Sequence, residues 1–212
     1  PRREAIFLVL PYNLDVTLSL ARRKLEEIDP REIAAGKEVA WDAGKKLFIL
    51  HSLNDVFHIS YPGGTITNSN GNAVDPRLQV LILHYLTGPA PSLQGKWISF
   101  KELPGGLLYQ QPFYGRSILP LVRTFGQAPS FLLKVGRALG GQAVQLGDAA
   151  VELYPFPSVP VRLVIWTGDD EIPPGGTILF DNTAATIMAT EDIAVLAEYL
   201  VKRLRDQARE SD

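Results

Sequence analysis

Apolar residues follow two different rhythms along this chain, and the changes between them separate helices from strands. From Asn13 to Ile28, the residues Leu14, Leu18, Ala21, Leu25 and Ile28 recur at spacings of four and three. That spacing places them on one helical face. Asn13 caps the start and Pro30 stops the helix. Asp29-Pro30-Arg31-Glu32 then repeats a helix start, with Asp as cap and Pro in the first turn, and Gly36 ends the short helix. Between Lys46 and Tyr61 the period drops to two around a Ser-Leu-Asn-Asp turn, which predicts a β-hairpin. Gly63 to Asn72 is a polar connection, a strand end plus a loop. Asp75-Pro76 opens another helix. Its "LQVLILHYL" is apolar nearly all round and predicts a central, buried position.

The second half continues the mixture. Gly95 to Phe113 suggests two short strands around a Pro-Gly-Gly turn. Arg116–Phe125 and Ser130–Leu139 suggest two helices, the first kinked or delayed by Pro120. Gln142–Tyr154 and Val161–Trp166 are strand candidates, joined by the proline-rich "YPFPSVP" as a rigid extended connection. A last helix spans Asp192 to about Gln207, with acids at its start and bases at its end. The opening "PRREAIFLVLPYN" suggests a strand or extended lead-in, too short in its apolar core for a signal peptide. Without a strict β-α-β rhythm, the expected fold class is α+β. We expect one domain over 1–212 with a largely antiparallel sheet and packed helices. A helical lead-in over 1–40 would precede a core over 41–207.

Composition narrows the function classes. The formal charge is −2, with Lys+Arg 21 against Asp+Glu 23, which disfavours nucleic acid as a partner. There is no cysteine, so disulfides, thiolate metal sites, a Cys nucleophile and an iron–sulfur cluster within this chain are excluded. This agrees with a cytoplasmic protein. No apolar stretch reaches the ~20 residues of a membrane helix.

Two stretches carry candidate chemistry. "WTGDDEIPPGGTILFDN" holds Asp169, Asp170, Glu171 and Asp181, a candidate oxygen-ligand set for a divalent ion, although its spacing matches no calcium loop. The same composition suits a solvated turn, with Asp181 capping the Asn182-Thr183 turn next to it. "WISFKELPGGLLY" packs Trp97, Glu102 and Tyr109 around flexible glycines. It is either a pocket rim or a hairpin with aromatic pairs. His51 and His58 share a face of the first hairpin, and His84 would complete a metal set only if the sheet packs on its helix. No nucleophile elbow and no phosphate loop is present.

Three stretches together, "LILHYLTG…GKWISFKELPGGLLY", "LGDAAVELYPFPSVPVRLVIWTGDDEIPPGGTILFDNTA" and "TED", resemble the domain-of-unknown-function family 3786, found mainly in anaerobic bacteria and archaea. The resemblance covers roughly residues 40 to 200. It rests on the order of Trp97, Glu102, Gly105-Gly106, Gly147-Asp148, Trp166, Asp169 to Glu171 and Phe180-Asp181. The family commonly has Glu-Phe-Pro where this chain has Glu171-Ile172-Pro173. No activity or catalytic residue is established for the family, so none is carried over. Some members bear a Cys-rich iron–sulfur domain, which implies corrinoid or redox metabolism. That module is not within this chain.

The leading expectation is a non-catalytic binding or accessory module for a metabolite or tetrapyrrole-like cofactor in anaerobic metabolism. Its candidate site residues are Trp97, Glu102, Tyr109, Trp166, Asp169 and Asp181. One alternative is a metal-assisted hydrolase or transferase using Asp169, Asp170, Glu171 and Asp181. Another is a protein-interaction domain that docks an iron–sulfur protein partner.

Overall fold

The computed structural model describes residues 14–211. The lead-in strand expected before Asn13 lies outside the described residues. The first helices form where the spacing predicts them, α1 over Leu14–Glu26 and α2 over Pro30–Lys37. Asp29 caps α2 by accepting from the Arg31 amide at 2.8 Å. Leu18, Ala21, Leu25 and Ile33 enter the main core.

A four-stranded antiparallel meander comes next: β1 (Ala40–Asp42), β2 (Leu47–Ser52), β3 (Asp55–Ser60) and β4 (Ile66–Asn68). The predicted hairpin is β2–β3, with His51 opposite Val56. Phe48, Leu50, Phe57 and Ile59 alternate into the core, which leaves His51 and His58 on the other face. Helix α3 (Pro76–Thr87) is central as expected, burying residues on nearly every side from Val80 to Thr87.

The segment from Gly95 to Phe113 is not a hairpin. Trp97–Ser99 forms β5, but the chain then turns through a 3₁₀ segment, Phe100–Glu102, into α4 (Gly106–Phe113). A capping box explains the switch. The Glu102 carboxylate accepts from the Ser99 amide at 2.8 Å and its hydroxyl at 2.6 Å. Gly106 lies against the Phe100 carbonyl, closer than any Cβ could approach. Phe113 then stacks on Phe100 at 3.9 Å between ring centroids. After α4 comes a π turn (Tyr114–Ile118) and then α5 (Leu119–Phe125), so the helix expected from Arg116 is the end of a longer irregular one. Next comes α6 (Pro129–Ala138).

The remaining strands are β6 (Gln142–Val144), β7 (Ala149–Phe156), β8 (Val159–Trp166) and β9 (Gly175–Asp181). With β5 they make a five-stranded antiparallel sheet in the order β5-β9-β8-β7-β6. The strand expected over Gln142–Tyr154 is therefore a hairpin, β6 and β7. The proline-rich stretch is also no extended linker, because Phe156 pairs with Val159 across a two-residue turn. Its prolines fit because the register shifts between Leu153 and Phe156, which frees Pro155 from the ladder. Helices α7 (Ala184–Ile187) and α8 (Thr190–Ser211) complete the chain.

One buried cluster runs through both sheets and the helices packed with them. The α+β class therefore holds, with two antiparallel sheets rather than one. Helices reach the five-stranded sheet from its inner face: Val122 of α5 meets Gly176, and Gly136 of α6 meets Val151. Among the described residues, no helix is long and apolar enough to cross a membrane.

Candidate functional site

The carboxylates singled out by the sequence have local tasks. Asp169 accepts from the Glu171 amide at 2.9 Å and the Ile172 amide at 2.7 Å, closing the turn on itself. Those two amides, Ile172 first, hold its carboxyl below the ordinary range. Asp170 and Glu171 are exposed beside it. Glu102 serves the capping box, and the Ser99 hydroxyl and amide lower its carboxyl. Asp181 is buried at the end of β9. It accepts from the Thr183 hydroxyl at 2.6 Å and amide at 3.0 Å, and from the Gly95 amide at 2.7 Å and the Gln94 amide at 3.2 Å. Burial pushes this carboxyl up, but the four donors outweigh it and leave it below the ordinary range.

Nor do these acids converge. The Asp169 turn joins the Gly175 end of β9, and Asp181 is at the other end. Six steps along a strand span about 20 Å. Among the described residues, no group of three or more His, Asp or Glu side chains is placed to hold a metal ion. His84 faces Asp192 of α8, its Nδ1 2.9 Å from the carboxylate, rather than His51 and His58.

Tyr109 sits apart from the sheet surface. It lies on α4, in the helical layer, beside an open cleft of about 300 Å³ lined also by Leu108, Ala185 and Thr190. Leu107 and Leu108 next to it are 69% and 86% exposed.

Trp97 and Trp166 do share a surface. Strand alternation puts Val161, Leu163, Ile178 and Phe180 inside and turns Arg162, Val164, Trp166, Thr177 and Leu179 outward. Arg162 pairs across β9 with Leu179 and across β7 with Glu152. Its guanidinium lies 3.8 Å from the Trp97 ring centroid, a cation–π contact. The Arg162 Nε donates to Glu152 at 2.8 Å, and the Tyr154 hydroxyl donates to the other Glu152 oxygen at 3.0 Å. Trp97, Arg162, Glu152 and Tyr154 thus form one fixed chain of side chains across four strands.

Trp166 is fixed at the far end of the face. Its ring lies so close to Gly147 that a Cβ there would stand 3.3 Å from it. The β6–β7 turn carrying Gly147 is fastened by Asp148, which accepts from the Thr167 amide at 2.7 Å and hydroxyl at 2.5 Å. The Trp166 ring is still 43% exposed. Leu179, Thr177 and the buried Val164 lie between the two tryptophans. Sequence reasoning missed Glu152, Tyr154 and Arg162, and named Asp148 only as part of the resemblance, not as a site residue. The available signal was a lone charge inside each of two apolar strands, "AVELY" and "VRLVI".

The family model described as Domain of unknown function (DUF3786) matches residues 29–203, from the cap of α2 to the last turns of α8, and the chain belongs to that family. No curated protein and no solved structure matches the chain.

Proposed function

We propose that this member of the family is a cytoplasmic, non-catalytic binding module, in anaerobic metabolism, for a flat ligand such as a tetrapyrrole-like cofactor. The outer face of the five-stranded sheet is the binding surface. One observation carries the reading. Trp97 and Trp166 are held at two ends of one sheet face, one by Arg162 and the other over Gly147. Aromatic side chains fixed before binding lose little entropy when a ring stacks on them. The acids favour binding over chemistry, since Glu102, Asp148, Asp169 and Asp181 each spend oxygens on backbone amides.

The test is titration of the purified protein with haem and with hydroxocobalamin. Tryptophan emission and thermal unfolding are recorded together. Binding at the proposed face quenches Trp97 and Trp166 and raises Tm. Affinity for both compounds that is unchanged in the W97F/W166F protein, or no response to either compound, refutes the assignment.

A further inference from the structure

We infer that Arg162 is the anion-reading residue of this face, and that the ligand carries a carboxylate beside its flat ring system; this rests on the binding reading above. Arg162 is the cation at the centre of the outer face, and its side chain is 24% exposed. Its guanidinium has three donor nitrogens in one plane. One of them, Nε, is committed to Glu152. Nη1 and Nη2 donate to nothing among the described residues. The plane of the group is used by Trp97, and its side edge by Glu152. The end edge is left, with two parallel N–H donors at the spacing of a carboxylate's oxygens.

The supporting contacts fit that role. Tyr154 holds the second oxygen of Glu152, so Glu152 cannot swing to take both edges of the arginine without losing that bond. The pair on adjacent strands is in direct register, which fixes the Cα separation as well as the side chains. A positioned guanidinium that keeps two free donors is set up for a second anion. A ligand stacked on Leu179 and Trp97 would bring a peripheral carboxylate to that edge. An uncharged flat ligand would leave the two donors facing a group that cannot accept from both.

The experiment compares protoporphyrin IX with its dimethyl ester, both in the same dilute detergent, by porphyrin fluorescence. The free acid is expected to bind the unaltered protein roughly tenfold to a hundredfold more tightly than the ester, the range for hydrogen bonds to a charged group. In R162K, which keeps the charge but not the fork, that preference is expected to collapse to a few-fold. The acid-to-ester comparison needs no variant, so it stands even if R162K folds poorly. Equal binding of acid and ester overturns the inference while leaving the flat-ligand reading intact. A preference that survives unchanged in folded R162K also overturns it. Failure of both porphyrins to bind refutes the inference and the binding reading together.

Discussion

Asp181 and Asp169 look alike in the sequence, yet their surroundings make them unequal. Asp181 is buried and takes four donors from two segments, Gln94-Gly95 and Thr183, whereas Asp169 closes one exposed turn. Replacing Asp181 by Ala strands those donors, and about 3 kcal/mol of stability is expected to go, whereas Asp169→Ala, at an exposed turn, should cost distinctly less. Urea unfolding of the two variants measures the difference. The pH dependence has a sign as well. The folded carboxyl of Asp181 lies below its ordinary value, so its contribution is present above about pH 4 and disappears as pH falls further. Lys37 acts at the other end of the scale. Burial, with Lys24 adding to it, lowers its ammonium to about 8, where it donates to the Pro89 carbonyl at 2.6 Å. Between about 8 and its ordinary value of 10.5, the unfolded chain holds more protons than the folded one. Stability therefore rises with pH from this group. Tyr199, pushed by burial up to about 12, reverses the trend above pH 10. Urea midpoints of the parent protein should rise between pH 7.5 and 9.5, and in K37M that rise should flatten.

At the scale of elements, the sequence was legible wherever a cap or a period acted alone. Asp29-Pro30 and Asp75-Pro76 start helices as expected, and the β2–β3 register follows from alternation. It misled where a turn signal and a helix signal overlapped. Leu103-Pro104-Gly105-Gly106 has hairpin composition, but the Ser99–Glu102 capping box precedes it, and Phe113 can reach Phe100 only if the chain coils. The site was half legible for a similar reason. Trp97 and Trp166 announce themselves, but Arg162 meets Glu152 and Tyr154 only when the proline-rich stretch is folded as the β7–β8 hairpin, and it meets Trp97 only once β5 is set on β9, a pairing between distant parts of the chain. The packing of α6 on β7 gives a prediction that helix propensity alone would reverse. An exposed Gly136→Ala would stabilise α6 by about 1 kcal/mol. Here the added Cβ would stand 2.5 Å from Val151 Cγ2, so a net loss of about 1–3 kcal/mol is expected. Thermal unfolding of G136A decides between the two signs.

Across the whole molecule, the question is whether two separate sheets behave as one cooperative unit. They share no strand, and the four-stranded sheet is a local meander. The tip of the β2–β3 hairpin ties it to the rest. Asn54 donates to the Ala138 carbonyl at the end of α6 at 2.7 Å, and Asp55 pairs with Arg203 of α8 at 3.0 Å. Beneath them the buried Ser52 hydroxyl lies 3.1 Å from that of Tyr199, which donates to Asp55 at 3.3 Å. The surrounding core is continuous, so opening either sheet alone would expose apolar surface of the other. The tryptophans are placed to test this: Trp41 lies in the first sheet, Trp97 and Trp166 in the second. A protein retaining only Trp41 and one retaining only Trp97 and Trp166, each compared with far-ultraviolet circular dichroism of the same sample, should each show coincident urea transitions. Tyr199→Phe leaves the Ser52 hydroxyl buried without its partner, at about 1–3 kcal/mol. Because that contact joins the two halves, its loss should lower both tryptophan-detected midpoints by the same amount. A shift confined to Trp41 would mean that the hairpin sheet unfolds by itself, and that the outer face of the second sheet is built on an independently stable scaffold.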